Sequence, residues 1–369
     1  MRILFAGGGT GGHLYPGLAI ARAIAAIEPS VQPYFVGALR GIERNVLPTM
    51  EFPHTLLDLH PLYRARPWEN WKTIRGAMSA WRGVASIASE SRPRCVVGTG
   101  GYASGLALAY AKIHSIPIVI QEQNSYPGLT TRFFSRYARQ IHNGFPEAEL
   151  LLSPGKSTKV FDSGNPIEAP PHPLPDKSPA RSEWGFDSCR RVLLVYGGSQ
   201  GSRAVNDVVA EWVSRGIAPG LGVIWATGHG TYDDYAEFES DRVRVRAYLS
   251  PVSEAYAATD FAVSRGGAIA TAELCAWGIP PIVIPLPTAA ADHQTANARA
   301  LAAAGAAEMI LQSELTADRL DASVNALFSD DVLLAQRAEA AKARARPHAA
   351  TEIARHILEL ARTTSSSTD

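Results

Sequence analysis

Residues 2–24 read RILFAGGGTGGHLYPGLAIARAI: a short apolar run, five glycines among six residues, a histidine, then helix-forming sequence. Residues 191–207, RVLLVYGGSQGSRAVND, repeat that order of strand, glycine turn and helix without repeating the residues. Between and after them, short β-rich runs alternate with alanine-rich helical stretches, the pattern of parallel sheets built from βαβ units. Strands are expected near 2–6, 34–36, 95–97, 118–120, 140–142 and 159–161, and again near 192–196, 223–226, 243–247, 261–263, 281–284 and 307–310. The fold class is therefore α/β, with two doubly wound parallel-sheet domains expected to face each other across a cleft.

The boundary falls in GNPIEAPPHPLPDKSP (164–179), which is too rich in proline for a helix or a central strand. The expected division is 1–165, 166–345 and a C-terminal segment 346–369. In that last segment ATEIARHILELAR reads as an amphipathic helix, and TTSSSTD after it as a tail expected to be disordered. A chain of 369 residues exceeds what one core usually supports, so two domains also follow from length. Nothing near Met1 resembles a signal peptide, and no apolar stretch approaches the roughly 18 residues of a membrane span. Cys95, Cys189 and Cys275 are odd in number and far apart, which suits a reduced, cytosolic protein and no metal site.

Zero net charge hides an asymmetry. Residues 1–165 carry 17 Lys and Arg against 10 Asp and Glu, and the remainder 18 against 25. The first half is thus expected to face something anionic. Nucleic acid is disfavoured because no binding motif accompanies the charge. The segment LYRARPWENWKTIRGAMSAWRG (62–83) points instead to a membrane surface. Trp71, Ile74, Met78 and Trp81 fall on one helical stripe about 80° wide, flanked by Arg75 and Arg82. Tryptophan beside basic residues is what an interfacial helix offers anionic lipid. An ordinary amphipathic core helix is the alternative.

Gly-x-Gly-x-x-Gly at 7–12 formally matches a dinucleotide fingerprint. A nicotinamide cofactor would also need an acid at the end of the second strand, and that strand ends VGALR. Three further stretches follow strands and would line the crevice at their carboxyl ends: GTGGYASG (98–105), QEQNSYPGLTTR (121–132) and SRGGAIATAELCAWGIPPIVIPLPTAAADHQTANA (264–298). In the last, a helix opening near Ala268 would present its N-terminal N–H groups to an anion. There is no Asp-x-Asp pair, so neither metal nor cofactor is expected.

These motifs, with GNP and GGSQGSR, stand in the order and spacing of the MurG family, which this chain resembles from about residue 1 to about residue 310. The resemblance implies the GT-B fold, two Rossmann-like domains with a C-terminal helix returning to the first. It implies an inverting transfer of N-acetylglucosamine from UDP-GlcNAc to the C4 hydroxyl of the muramoyl sugar of a polyprenyl-pyrophosphoryl acceptor, lipid I. That places the protein at the cytoplasmic face of the cell membrane, peripherally, with cell-wall synthesis proteins as possible partners. On the donor, it implies Glu273 at the ribose, the Leu249 backbone at the uracil with Tyr248 close by, Ser199 and Gln200 near the diphosphate or sugar, and Gly267 and Ala268 at the phosphates. Gln294, with Asp292 and His293 alongside, and Asn124 would contact the sugar. Thr10, Gly11 and Gly12 would touch the donor and, with His13, border the acceptor side, where Gly9 and Tyr102 lie. The first turn would then meet the acceptor's pyrophosphate.

For the base, His13 is the first candidate, since imidazole titrates near working pH, and Glu122 the second. Four departures stand out. Gly266 replaces the serine of the RSGA form, Glu168 the arginine that often follows GNP-V, and Gln121 the histidine of HEQN, while YLSPV replaces an aromatic-hydrophobic-Asp-Asp stretch. Arg203 or Arg265 would have to neutralise the diphosphate in place of the missing arginine. A related transferase with another sugar or acceptor, and a non-catalytic nucleotide-sugar-binding protein, are the alternatives; a dehydrogenase is the last.

Overall fold

A computed structural model describes residues 1–59, 70–198 and 200–363, without the side chains of 70–75 and 77. Chain contacts divide it into two units, Met1–Ile167 with the C-terminal segment that begins at Pro347, and Glu168–Arg346. In the first unit seven strands form one parallel sheet: β1 (Arg2–Ala6), β2 (Gln32–Ala38), β3 (His54–Leu57), β4 (Val96–Gly98), β5 (Ile118–Glu122), β6 (Gln140–Asn143) and β7 (Lys159–Phe161). Their order is β3-β2-β1-β4-β5-β6-β7. The second unit holds β8 (Arg191–Tyr196), β9 (Leu221–Ala226), β10 (Val243–Arg246), β11 (Phe261–Ser264), β12 (Pro281–Val283) and β13 (Glu308–Met309). They are ordered β10-β9-β8-β11-β12-β13, again with parallel pairings.

The central strands are apolar throughout because helices cover both faces of each sheet; Leu193, Leu194, Val195, Phe261, Ala262 and Val263 are all fully buried. Each strand expected from the sequence is present, with ends displaced by one or two residues. β3 was not expected: HTLL is a four-residue edge strand with only Leu57 buried, too short for a periodic signal.

The helix Ala349–Thr363 packs along the first helix, Gly11–Ile27. Ile353, Ile357 and Leu358 join a core with Ile3, Phe5, Leu14 and Leu18. Each such burial contributes roughly 1.5–3 kcal/mol. The ion pair Arg362–Glu28 at 2.8 Å, largely in water, adds little.

The segment singled out for lipid is partly redirected. A helix does run over Asn70–Ser91, but its core-facing side is Ala80, Val84, Ile87 and Ala88. Trp81 borders that side, its ring 5.3 Å from Tyr110, so it packs against the protein rather than facing outward as expected. Met78 is 61% exposed and Arg82 exposed; the side chains of Trp71, Ile74 and Arg75 lie outside the described residues. No described helix is long and apolar enough to cross a membrane.

Candidate active site

In the second unit the turn GGSQG leaves the C-terminal end of β8 and leads into the helix Arg203–Ser214. Gly201 has φ +73°, and a Cβ there would stand 2.0 Å from the Thr227 carbonyl oxygen. Only glycine lets these two strand-end loops close together. Beside the turn is a cavity of about 410 Å³ whose lining includes Gly198, Ser202, Arg203, Arg265, Gly267 and Gln294. Two arginines and no carboxylate line it.

The arginines differ. Arg203 is exposed and paired with Asp234 at 2.6 Å. Arg265 is 8% exposed, and its guanidinium donates to four neutral oxygens: Ile284 and Pro285 carbonyls, both at 3.1 Å, Ser202 Oγ at 2.6 Å and Gln312 Oε1 at 2.7 Å. No carboxylate among the described residues pairs with it. Burial lowers its proton affinity from the ordinary arginine value, yet an arginine stays charged. Four of its five N–H donors thus have neutral partners while its charge has none, and burial without a counter-ion is costly. Such a floor suits an anion.

The helix Ala268–Ala276 opens at this cavity with Gly267 as N-cap, a residue with no side chain to cover the first turn. A Cβ on Gly266 would stand 2.5 Å from the Gln294 carbonyl oxygen, and Asn297 Nδ2 donates to the Gly266 carbonyl at 3.0 Å. Glycine at 266 is therefore what allows the helix His293–Ala303 to seat against this turn. Gln294 Oε1 accepts from Leu286 N–H at 3.0 Å, which turns its NH2 away as a donor with no protein partner among the described residues. Asp292 and His293 serve the start of their own helix, bonded to Thr295 and to the Ala290 carbonyl, each at 2.6 Å.

Glu273 lies in the second turn of its helix and is half-buried. Tyr256 Oη donates to Glu273 Oε2 at 2.9 Å, and Tyr196 Oη stands 3.3 Å from Tyr256 Oη. Tyr196 also lines the cavity, so a chain of hydroxyls joins its wall to the carboxylate. Burial raises the Glu273 carboxyl above the ordinary range, the Tyr256 bond opposes this, and the negative Glu168 adds to it. Tyr248 is 50% exposed, stacked on His229 with centroids 5.5 Å apart, and Leu249 beside it is half-buried. Leu249, Gln200 and Glu273 are not in the cavity lining, and Ser199 lies outside the described residues.

In the first unit the glycine turn after β1 leads into Gly11–Ile27, with Thr10 as N-cap and no side-chain cap bond. Thr10 and Gly12 are exposed, Gly9 and Gly11 half-buried. A Cβ on Gly9 would meet the Tyr102 ring at 2.9 Å, so those two residues are in contact. His13 Nδ1 lies 2.8 Å from Gln123 Oε1, and Thr99 Oγ1 donates to the His13 carbonyl at 2.7 Å. The structure thus brings His13, Gly9, Tyr102 and the QEQN loop onto neighbouring strand ends. Glu122 does not fit the role of base. It is 3% exposed, and its oxygens accept from Asn124 N at 3.1 Å, Asn124 Nδ2 at 3.3 Å and Gly128 N at 3.2 Å. Its carboxylate is spent on folding the loop that carries Asn124.

Residues 3–143 match the model of the glycosyltransferase family 28 N-terminal domain, and 192–353 that of the family 28 C-terminal domain. A Salinibacter ruber UDP-N-acetylglucosamine–N-acetylmuramyl-(pentapeptide) pyrophosphoryl-undecaprenol N-acetylglucosamine transferase is 40% identical over 97% of this chain and 96% of its own length. The Clostridioides difficile transferase of the same name is 33% identical over 100% and 91%. A crystal structure of Acinetobacter baumannii MurG superposes with TM-score 0.75 at 26% identity, covering 97% of this chain and 99% of that one. The chain belongs to the MurG family.

The fold is accordingly the GT-B arrangement of two parallel-sheet α/β domains seen in MurG. A Staphylococcus aureus MnaA–UDP structure, 16% identical with TM-score 0.63, shares the fold alone. Beside the MurG motifs, Tyr196 and Tyr256 are not marked by the sequence, though Tyr256 has a signal, a lone aromatic hydroxyl in the alanine-rich helix Val252–Ala258; QEQN places Gln123 in the crevice, but not its contact with His13, 110 residues away.

Proposed function

We propose that this chain transfers N-acetylglucosamine from UDP-N-acetylglucosamine to the muramoyl C4 hydroxyl of a polyprenyl-pyrophosphoryl acceptor, the reaction named for its curated relatives. The observation that carries the reading is Arg265, a buried cation without a counter-ion at a cavity where a helix opens. The leaving diphosphate supplies the missing charge, hydrogen-bonded by backbone N–H groups at the helix start and stabilised through space by the positive charge of the guanidinium. Arg265 here does what the arginine absent at 168 would do. Gln294 offers its NH2 to the sugar, and Glu273 accepts from the ribose hydroxyls. Gly9, Thr10 and Tyr102 border the acceptor, Asn124 contacts the donor sugar, and His13 takes the proton from the attacking hydroxyl.

The N-terminal unit also has an aromatic, basic surface suited to the acceptor's lipid. Leu129 and Phe133 are each 54% exposed and Ile113 64%. Lys112 Nζ sits 4.0 Å from the Tyr137 ring centroid, with Arg136 about 6 Å from the Phe133 and Tyr137 rings. Exposed aromatics with cations among them favour the interface of an anionic bilayer, so the protein is assigned to the membrane surface.

The test is transfer of labelled N-acetylglucosamine to lipid I with EDTA present, alongside co-sedimentation with vesicles containing anionic lipid. Metal-independent product and sedimentation lost in a Leu129→Ser, Phe133→Ser variant are expected. A folded, UDP-binding protein that makes no product would contradict the acceptor and point to a related transferase. Unchanged sedimentation of the variant would remove the surface from the account.

A further inference from the structure

The side-chain amide of Gln123 has only one workable orientation. Its nitrogen faces the backbone carbonyl oxygens of Thr99 at 2.8 Å and Gln121 at 3.1 Å, and also the side-chain oxygen of Gln121. Those oxygens only accept, so the NH2 end must lie there. Oε1 is then the end that meets His13 Nδ1 at 2.8 Å. An amide oxygen cannot donate, so Nδ1 must carry the hydrogen. In the neutral ring, Nε2 then keeps its lone pair.

We infer that Gln123 is a positioning residue: it holds His13 as the Nδ1–H tautomer and so leaves Nε2 as the proton acceptor for the incoming hydroxyl. The inference rests on the reading of His13 as base. Free histidine in water favours the opposite tautomer, so the protein must impose this one. The ring is also held from its other side. Gly100 and Gly101, at φ +97° and +74°, approach so closely that a Cβ would stand 2.8 Å from Nδ1 or 3.1 Å from Cδ2. Behind Gln123, Gln121 Nε2 donates to Asn165 Oδ1 at 3.3 Å, and Asn165 Nδ2 donates to the Gln123 carbonyl at 3.0 Å. The departure at 121 thereby acquires a meaning. Gln121 keeps this amide chain uncharged at every working pH. Gln123, Gly100 and Gly101, the groups placed against the ring by the loops after β4 and β5, are uncharged too.

The experiment is nitrogen NMR of histidine-labelled protein, read beside kcat and KM. Wild-type His13 is expected as Nδ1–H. Gln123→Leu is expected to restore the Nε2–H form and lower kcat about 10- to 100-fold with donor KM within twofold. Gln123→Glu must carry a proton on the oxygen that faces the Thr99 and Gln121 carbonyls, so its other oxygen still only accepts from the ring; it should keep Nδ1–H and more of kcat than Gln123→Leu. An Nε2–H wild type, or Gln123→Leu with tautomer and kcat unchanged, overturns the inference. Wild-type kcat in His13→Ala would instead remove the base reading, a separate outcome, because the tautomer is read without turnover.

Discussion

Two glycine turns occupy the same place in their sheets, after β1 and after β8, and beneath them lie opposite groups. Under the second is Arg265, a buried cation satisfied only by neutral oxygens. Beside the first is Glu43, 0% exposed, whose Oε1 accepts from Ala38 N–H at 3.2 Å and whose Oε2 has no partner among the described residues. A Cβ on Gly8 would fall 1.7 Å from Glu43 Oε1, and one on Gly41 1.9 Å from Oε2. Gly8 of the first turn, with Gly41 of the loop after β2, therefore makes room for an acid, while Gly198 of the second turn has open space beside it. A phosphate at the first turn has backbone N–H groups and a helix dipole to rely on, and no buried arginine among the described residues. One architectural device thus stands beside opposite charges in the two units.

After Arg265, the largest effect expected in the second unit concerns Glu273. Glu273→Gln removes a charged acceptor and should weaken UDP binding by roughly 1.5–3 kcal/mol, about 10- to 100-fold. Tyr256→Phe removes only the bond that orients it, about 1 kcal/mol or fivefold. Both should lose preference for UDP over 2′-deoxy-UDP in calorimetry. Equal preference in wild type and Glu273→Gln would separate this carboxylate from the ribose.

A smaller contrast is in pH. Burial lowers the His142 imidazole to about 3. The unfolded chain takes up that proton below about 6.5, so this contribution is intact above 6.5 and lost as pH falls toward 3, at up to about 1.4 kcal/mol per unit. Glu273 has the opposite sign. Its folded carboxyl sits above the ordinary value, so the folded state holds the proton longer and stability falls as pH rises through that window. Denaturant titrations from pH 7 to 4 should show a shallower acid loss for His142→Gln than for wild type, and a steeper one for Glu273→Gln. Identical slopes would refute both assignments.

The sheets were legible because βαβ periodicity is local: RVLLVY and FAVS are strands on sight, as is the helix of 349–363. The glycine motifs carried the family. The decisive polar groups were less legible, since their partners are far along the chain. Arg265 meets Ser202 and Gln312, 63 and 47 residues away, and Gln140 reaches the His356 carbonyl across 216. Glu122 looked catalytic because it ends a strand in the right crevice, and only its three loop N–H donors show where its charge is spent. Trp81 looked lipid-facing because a wheel gives spacing without saying which neighbour lies opposite; Tyr110 does.

The most direct measurement is calorimetric titration of UDP into wild type, Arg265→Gln and Glu43→Gln, each first checked for folding by its cooperative melt. With Arg265 as the counter-charge to the diphosphate, Arg265→Gln should bind about 100-fold more weakly, and Glu43→Gln should stay within about twofold of wild type. A folded Arg265→Gln that binds UDP as tightly as wild type, or an equal loss in Glu43→Gln, would contradict the division of tasks between the two turns.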